Sequence, residues 1–153
     1  MELSQTQALD FINELFVDRI PFHQTVGIEV HQYNLEHTEV HLPMRPDLVG
    51  NPAQQILHGG VTATILDMVG GLTAFAGVIA TREKWPQEVL IRRIKTLGTI
   101  DMRVDYLRPG RGEKFIATSK VIRAGNKVAV CRMELHNEKG SHIAFGTGTY
   151  MVG

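Results

Sequence analysis

Cysteine is nearly missing: Cys131 stands alone among 153 residues. That rules out an intrachain disulfide framework and any cysteine-based zinc site. It also suits a reducing compartment, so the cytoplasm is the expected location. Charge of one sign is missing too, since 16 Lys and Arg balance 16 Asp and Glu. No basic field is left to hold a polyphosphate backbone, and no nucleic-acid partner is expected. The N-terminus, MELSQTQALDFINELF, carries acids where a secretory leader carries bases and has no continuous apolar stretch, so it does not read as a targeting peptide. The nearest approach to a long hydrophobic run, Val61 to Ile79, holds Asp67 near its middle and Gly70, Gly71 and Gly77 besides. An ionised Asp at bilayer depth costs about 2.5–3.5 kcal/mol on insertion scales. A buried helix is the better reading, and no membrane span is predicted.

With 43% apolar residues the chain can build a real core. It contains no repeat, low-complexity run or dividing linker. One domain over 1–153, with a helical extension over 1–20, is the expectation. Ala8, Phe11, Ile12, Leu15 and Phe16 recur at helical spacing after Ser4, predicting an amphipathic helix from Ser4 to Val17 that Pro21 closes. Ile28 to Met44 reads as two strands turning at Asn34, and RPDLVGNPAQQILHGG as a long loop. A helix from about Gly60 to Ala80 carries an apolar stripe of Val61, Ile65, Met68, Leu72, Phe75 and Ile79. An offset flank of Ala63, Asp67, Gly70, Gly71 and Ala74 is small enough for another backbone to come close. After a loop with Trp85 and Pro86 the chain reads as strands to its end. Ile100, Met102, Val104 and Tyr106 alternate without a break against Thr99, Asp101, Arg103 and Asp105. Antiparallel strands with one long helix predict an α+β domain whose curved sheet wraps that helix. Uncovered sheet edges predict a dimer that extends or pairs the sheets.

The chemistry concentrates in Leu57-His58-Gly59-Gly60-Val61-Thr62-Ala63-Thr64-Ile65-Leu66-Asp67. The glycines sit where a loop becomes a helix, so their N–H groups are among the donors without an intrahelical acceptor. With the helix dipole behind them, such donors can polarise a carbonyl; permitting a tight turn is the plainer use of glycine there. Asp67 lies two turns into an apolar helix with no Lys or Arg within four residues. It either points to solvent or is a carboxylate placed for chemistry. The small-residue flank around it favours a cleft.

The segment HGGVTATILD, with Asn-Pro before it and TIDMRVDYLRPG after it, resembles the hotdog-fold acyl-CoA thioesterases of the phenylacetate-degradation (PaaI-like) type, within the 4-hydroxybenzoyl-CoA thioesterase superfamily. The similarity runs from about His23 to the C-terminus. It implies a hotdog fold and hydrolysis of an acyl-CoA thioester to a free acid and coenzyme A. Asp67 would be the catalytic general base or nucleophile. The N–H of Gly59, with Gly60 adjoining, would polarise the thioester carbonyl, and His58 would support the loop or the substrate. The family's upstream amide falls on Pro52; Asn51 lies one residue earlier and Gln54 and Gln55 lie closer to His58, and Asn51, with a one-residue shift in the loop, is the favoured candidate for that role. The hydroxyl that some members carry four residues after the acid is replaced by Gly71. Thr99 matches a water-orienting hydroxyl, or is an ordinary strand residue.

Coenzyme A carries phosphates, and Arg108, Arg111, Arg123 and Lys127 stand at strand ends where a binding mouth could form, although solvated loop charges would look the same. Arg92, Arg93 and Lys95 make a further basic cluster. His37 and His41 lie in strand-like sequence without further ligands in view, so no metal is predicted. No cofactor beyond the substrate's own coenzyme A is expected. A homodimer or a dimer of dimers would complete the cleft. Two other readings stay open: a hotdog enoyl or 3-hydroxyacyl thioester hydratase or dehydratase, which would pair a His with the acid, and a non-catalytic acyl-CoA-binding module.

Overall fold

The computed structural model describes residues 1–15 and 17–153. After strand β1 (Glu2–Ser4), the first apolar periodicity forms helix α1 (Gln5–Leu15), which buries Ala8, Leu9 and Ile12. Phe16, assigned from sequence to the same face, lies outside the described residues. Pro21 does not close this region but opens a second helix, α2 (Pro21–Val26). Proline suits a first helical position, because its φ is already helical and the missing N–H would have had no acceptor. Gly27, in the left-handed region at φ 87°, ends α2.

Strands β2 (Glu29–Tyr33) and β3 (Thr38–Pro43) follow. They turn at Asn34, whose Oδ1 accepts the N–H of Glu36 at 2.9 Å and of His37 at 2.8 Å. The expected long loop contains a small hairpin, β4 (Val49–Asn51) and β5 (Ile56–Leu57), that leads into helix α3 (Gly59–Ile79). Then come β6 (Lys84–Pro86), helix α4 (Gln87–Thr96), and strands β7 (Gly98–Tyr106), β8 (Lys114–Ala124), β9 (Val128–Asn137) and β10 (His142–Met151). Helix α4 corrects the strand-like reading of this stretch. It buries only Leu90, so its apolar periodicity is faint. Glu88 in its first turn and Arg93 and Lys95 in its last were the available signals, each favourable to the helix dipole.

Among the described residues six strands make one antiparallel sheet in the order β2-β3-β8-β9-β10-β7. Helix α3 lies across one face, mainly on β8 and β9. Val40 and Leu42 of β3, Phe115 and Ala117 of β8, and Ala129, Cys131, Met133 and Leu135 of β9 are all buried at alternate positions. Burial pushes the Cys131 thiol up to about 12, so it stays protonated and unreactive. At the far end of α3, Trp85 is fully buried and donates its Nε1–H to the Ile79 carbonyl at 2.9 Å. Its strand β6 pairs with β1, which ties the N-terminus to that end of the helix.

The apolar stripe of α3 is wider than its periodicity suggests, because Leu66, Val69, Thr73 and Ala76 are buried as well. Among the described residues α3 is the one helix long and apolar enough to cross a membrane, and most of that length is packed inside the fold. Nor does the small-residue flank await a second backbone. A Cβ on Gly70 would collide with the Tyr150 hydroxyl, and one on Gly71 would meet the same ring at 3.7 Å. Tyr150, from β10 of the same chain, fills that space.

Strand β7 has a sheet partner on one side only among the described residues, and its apolar row is poorly covered: Ile100 is 52% and Tyr106 55% exposed. Its alternation also breaks, contrary to the sequence reading. Asp101 pairs with Thr149 and Thr99 with Tyr150, which leaves Ile100 as the extra residue of a β-bulge. Strict alternation would set Thr99 on the same face as Asp101. The bulge turns it to the face that carries Tyr150.

Candidate active site

Asp67 is half-buried on α3, and its Oδ1 accepts the Thr99 hydroxyl at 2.8 Å. The two line a cavity of about 160 Å³ whose other walls are largely apolar: Ile12 of α1, Ile20, Met68, Leu72 and Phe75 of α3, and Leu97. Benzene fills an engineered cavity of roughly 150 Å³, so this one accommodates about a six-carbon fragment.

Three polar side chains that the sequence reading did not single out share the cavity. His23 of α2 and Tyr33 of β2 both line it, and the His23 Nδ1 and the Tyr33 hydroxyl are buried without a hydrogen-bond partner among the described residues. Burial holds the His23 imidazole below the usual range despite the opposing pull of Asp67, which keeps it neutral near pH 7. Tyr33 is pushed upward by burial, and Tyr150 by burial and by Asp67, so both phenols stay protonated. The Tyr150 hydroxyl donates to the Asp67 carbonyl at 3.3 Å. Only a tertiary arrangement could gather these groups, since they come from residues 23, 33 and 150.

The N-terminus of α3 is a separate place. His58 caps the helix: its Nδ1 accepts the Gly60 N–H at 2.8 Å, and its carbonyl accepts those of Val61 and Thr62. The imidazole proton of neutral His58 therefore sits on Nε2. Gly60 is thus already engaged and is not available as the second carbonyl-polarising donor. The Gly59 N–H has no acceptor among the described residues, while the Gly59 carbonyl accepts the Tyr106 hydroxyl at 2.7 Å. Gly59 and Tyr106 line an open groove of about 400 Å³ together with Thr62, Leu107 and Arg108.

Asn51 lies beside this end. Its Oδ1 accepts from the N–H of Ala53 and of Gln54, which shapes the β4–β5 turn, and a Cβ on the preceding Gly50 would collide with His58. The four candidate phosphate contacts are divided between opposite ends of the sheet. Arg108 lies in the Gly59 groove and donates to the His142 carbonyl, whereas Arg111 holds the carbonyl and side-chain oxygen of Gln54. Arg123 is exposed near the other end of β8, and Lys127 shares a groove there with Arg82, Arg92 and Arg93. At 1.5 Å per residue, the eight steps from Gly59 to Asp67 span about 12 Å. One chain therefore does not bring the free N–H and the carboxylate into one cavity.

Comparison with known proteins fits this architecture. The profile described as the thioesterase superfamily matches residues 54–144. The Escherichia coli protein named medium/long-chain acyl-CoA thioesterase YigI is 49% identical over 151 residues, covering 99% of this chain and 97% of that one. A crystal structure from Shewanella oneidensis, described as related to the thioesterase superfamily, superposes with TM-score 0.94 at 62% identity and covers 97% of each chain. The E. coli PaaI protein of the phenylacetic acid degradation operon superposes at TM-score 0.76 with 16% identity, covering 97% of this chain and 96% of that one, which supports the shared hotdog fold alone.

Proposed function

The chain belongs to the thioesterase superfamily, and from that premise we propose that it hydrolyses medium- or long-chain acyl-CoA to the free acid and coenzyme A in the cytoplasm. The observation that carries this reading is the Asp67–Thr99 pair at the edge of an apolar cavity. An acyl chain would lie against Ile12, Met68, Leu72 and Phe75, which brings its carbonyl carbon to the carboxylate. Asp67 would then take a proton from water as that water attacks, or attack the carbon itself to give a mixed anhydride that water cleaves. In either case an oxyanion forms on the thioester oxygen, and coenzyme A leaves as its thiol. The Thr99 hydroxyl fixes one carboxylate oxygen, leaving the other for the reaction.

The oxyanion needs a donor, and the unengaged Gly59 N–H at the positive end of α3 suits it. With about 12 Å between the two along the helix, the productive arrangement is a homodimer in which Asp67 of one subunit faces Gly59 of the other. The edge strand β7, with its exposed Ile100 and Tyr106, is the natural seam. Arg108, in the Gly59 groove, would meet the coenzyme A phosphates on that side. Asn51 would act nearby through its Nδ2, because its Oδ1 is held in the turn.

His23 gives one observation in favour of the hydratase reading, since it shares a cavity with the acid as His58 does not. Thiol release separates the two. Purified protein is offered acetyl- through palmitoyl-CoA with a chromogenic thiol reagent, and crotonyl-CoA is followed for loss of enoyl absorbance. Wild type is expected to release thiol, best from the longer chains, and Asp67→Asn to lose about 10²–10⁴-fold in kcat with an unchanged circular dichroism spectrum. A folded Asp67→Asn protein of wild-type activity would refute the assignment, and hydration of crotonyl-CoA without thiol release would replace it.

A further inference from the structure

On the outer face of the sheet, away from α3, strand β3 presents Glu39 and His41 at alternate positions, with His37 just before its first residue, while Thr38, Val40 and Leu42 between them are buried. Outward residues two apart on a strand stand roughly 6.5–7 Å apart at the backbone, so long side chains can converge. Here they do. The Glu39 carboxylate has His37 Nε2 at 3.0 Å on one oxygen and His41 Nε2 at 2.5 Å on the other. Strand β2 supplies a fourth group. Val30 pairs with Val40 and Gln32 with Glu39, which leaves His31 as the extra residue of a β-bulge. Its ring stacks on that of His41, centroids 4.1 Å apart, with Nε2 3.9 Å from Glu39. The ligating atoms of His31, Glu39 and His41 all lie within 4.8 Å of one another.

We propose that His31, Glu39 and His41 form a three-ligand site for a divalent transition-metal ion, zinc above all, that clamps the bulged end strand β2 to β3, with His37 holding the other oxygen of Glu39 and water completing the tetrahedron. Bonds of about 2.0–2.1 Å in tetrahedral geometry put ligand atoms roughly 3.3–3.4 Å apart, so side-chain adjustments of about 1 Å close the site around an ion. Each imidazole would ligate through Nε2 with its proton on Nδ1. Two imidazoles and one carboxylate suit zinc, copper(II) or nickel rather than calcium or magnesium, which prefer oxygen donors.

A second group on the same face, Glu134, His136 and His142, serves as an internal control. The Arg132 guanidinium lies 3.5 Å from Glu134 and competes for it. His142 Nε2, 2.9 Å from the same carboxylate, is poorly aligned for a hydrogen bond. The His31 site is therefore the tighter of the two.

The test uses protein without a polyhistidine tag, stripped of metal and titrated with zinc chloride by calorimetry and thermal melting. Cobalt(II) absorption reports the geometry. Wild type is expected to bind one zinc tightly, to gain about 5–10 °C in Tm at a hundredfold excess over Kd, and to give the intense visible band of tetrahedral cobalt. Glu39→Gln and His41→Ala should each weaken that binding at least tenfold. His31→Ala, at an exposed position, does the same without burial as a complication. His136→Ala should leave it unchanged. Zinc binding no tighter than about millimolar in wild type, or tight binding that survives both Glu39→Gln and His31→Ala, would overturn the assignment.

Discussion

The two ends of the site are built in different ways. At the N-terminus of α3, the cap, the donors and the supporting hairpin come mostly from residues 48–62, and residues 106–110 with Ile143 close the other side of an open groove of about 400 Å³. Around Asp67, the cavity of about 160 Å³ draws on residues between Ile12 and Tyr150. The first end offers a fixed dipole and one free N–H; the second offers a carboxylate in an apolar setting. Local geometry suffices for an electrophilic donor, whereas holding a carboxylate beside an acyl chain takes the whole fold.

The sharpest way to break this contrast is Gly59→Pro. Proline is favoured at a first helical position and lacks the N–H, so the donor is deleted with little disturbance of α3. Loss of one oxyanion donor costs roughly 10²–10³ in kcat, which thiol release would measure. If Asp67 and Gly59 act across subunits, co-refolding Gly59→Pro with Asp67→Asn chains should restore about a quarter of wild-type activity, because half the dimers would be mixed and each would hold one intact site. No recovery from well-folded mixed dimers would place both groups in one subunit.

Thr99→Val tests the cavity end. It keeps the shape and removes the bond to Asp67, and a hydrogen bond to a charged group contributes about 1.5–3 kcal/mol. A fall in kcat is expected together with a drop of roughly 3–10 °C in Tm; unchanged kcat would make Thr99 an ordinary strand residue. Gly70→Ala probes the packing beneath. The new methyl would meet the buried Tyr150 hydroxyl, and overpacking costs about 1–3 kcal/mol, or a drop of roughly 3–10 °C in Tm. Gly71→Ala, where the same ring stands 3.7 Å away, should be much milder.

The smallest effect is on pH. His23 has a folded pKa below its unfolded value near 6.5, so the unfolded chain binds more protons between those two values. Stability therefore falls as pH drops through about 6.5 and levels off below the folded pKa. His136 is also lowered, chiefly by burial, and adds to the same decline. Denaturant melts at pH 7.5 and 5.5 should show a smaller difference for His23→Gln than for wild type. An equal difference would remove His23 from the account.

Asp67 was legible because an acid in an apolar, glycine-rich helix breaks the helix's own pattern, and the HGG run was legible because capping is local. The roles of Gly60 and Thr99 were not readable at the same level. Gly60 loses its N–H to a ring only two residues away, which composition does not disclose. Thr99 reaches Asp67 only because the bulge at Ile100 shifts the register. His23 and Tyr33 gave no signal, since neither the spacing between them nor their distance from Asp67 follows any helical or strand period.

Local elements were legible in the residues alone: the alternation of β9, the length of α3, the turn at Asn34 and a helix start read at about Gly60, one residue from the observed Gly59. Each depends on backbone geometry and on neighbours within a few residues. Which faces those elements turn to one another was set by packing between segments far apart in the chain. Tyr150 rather than a second chain fills the Gly70 flank, α2 brings His23 to the acid, and two single-residue bulges aim Thr99 inward and His31 outward. A one-residue shift in a strand reverses which face a side chain occupies, and whether it occurs is set by packing across the sheet.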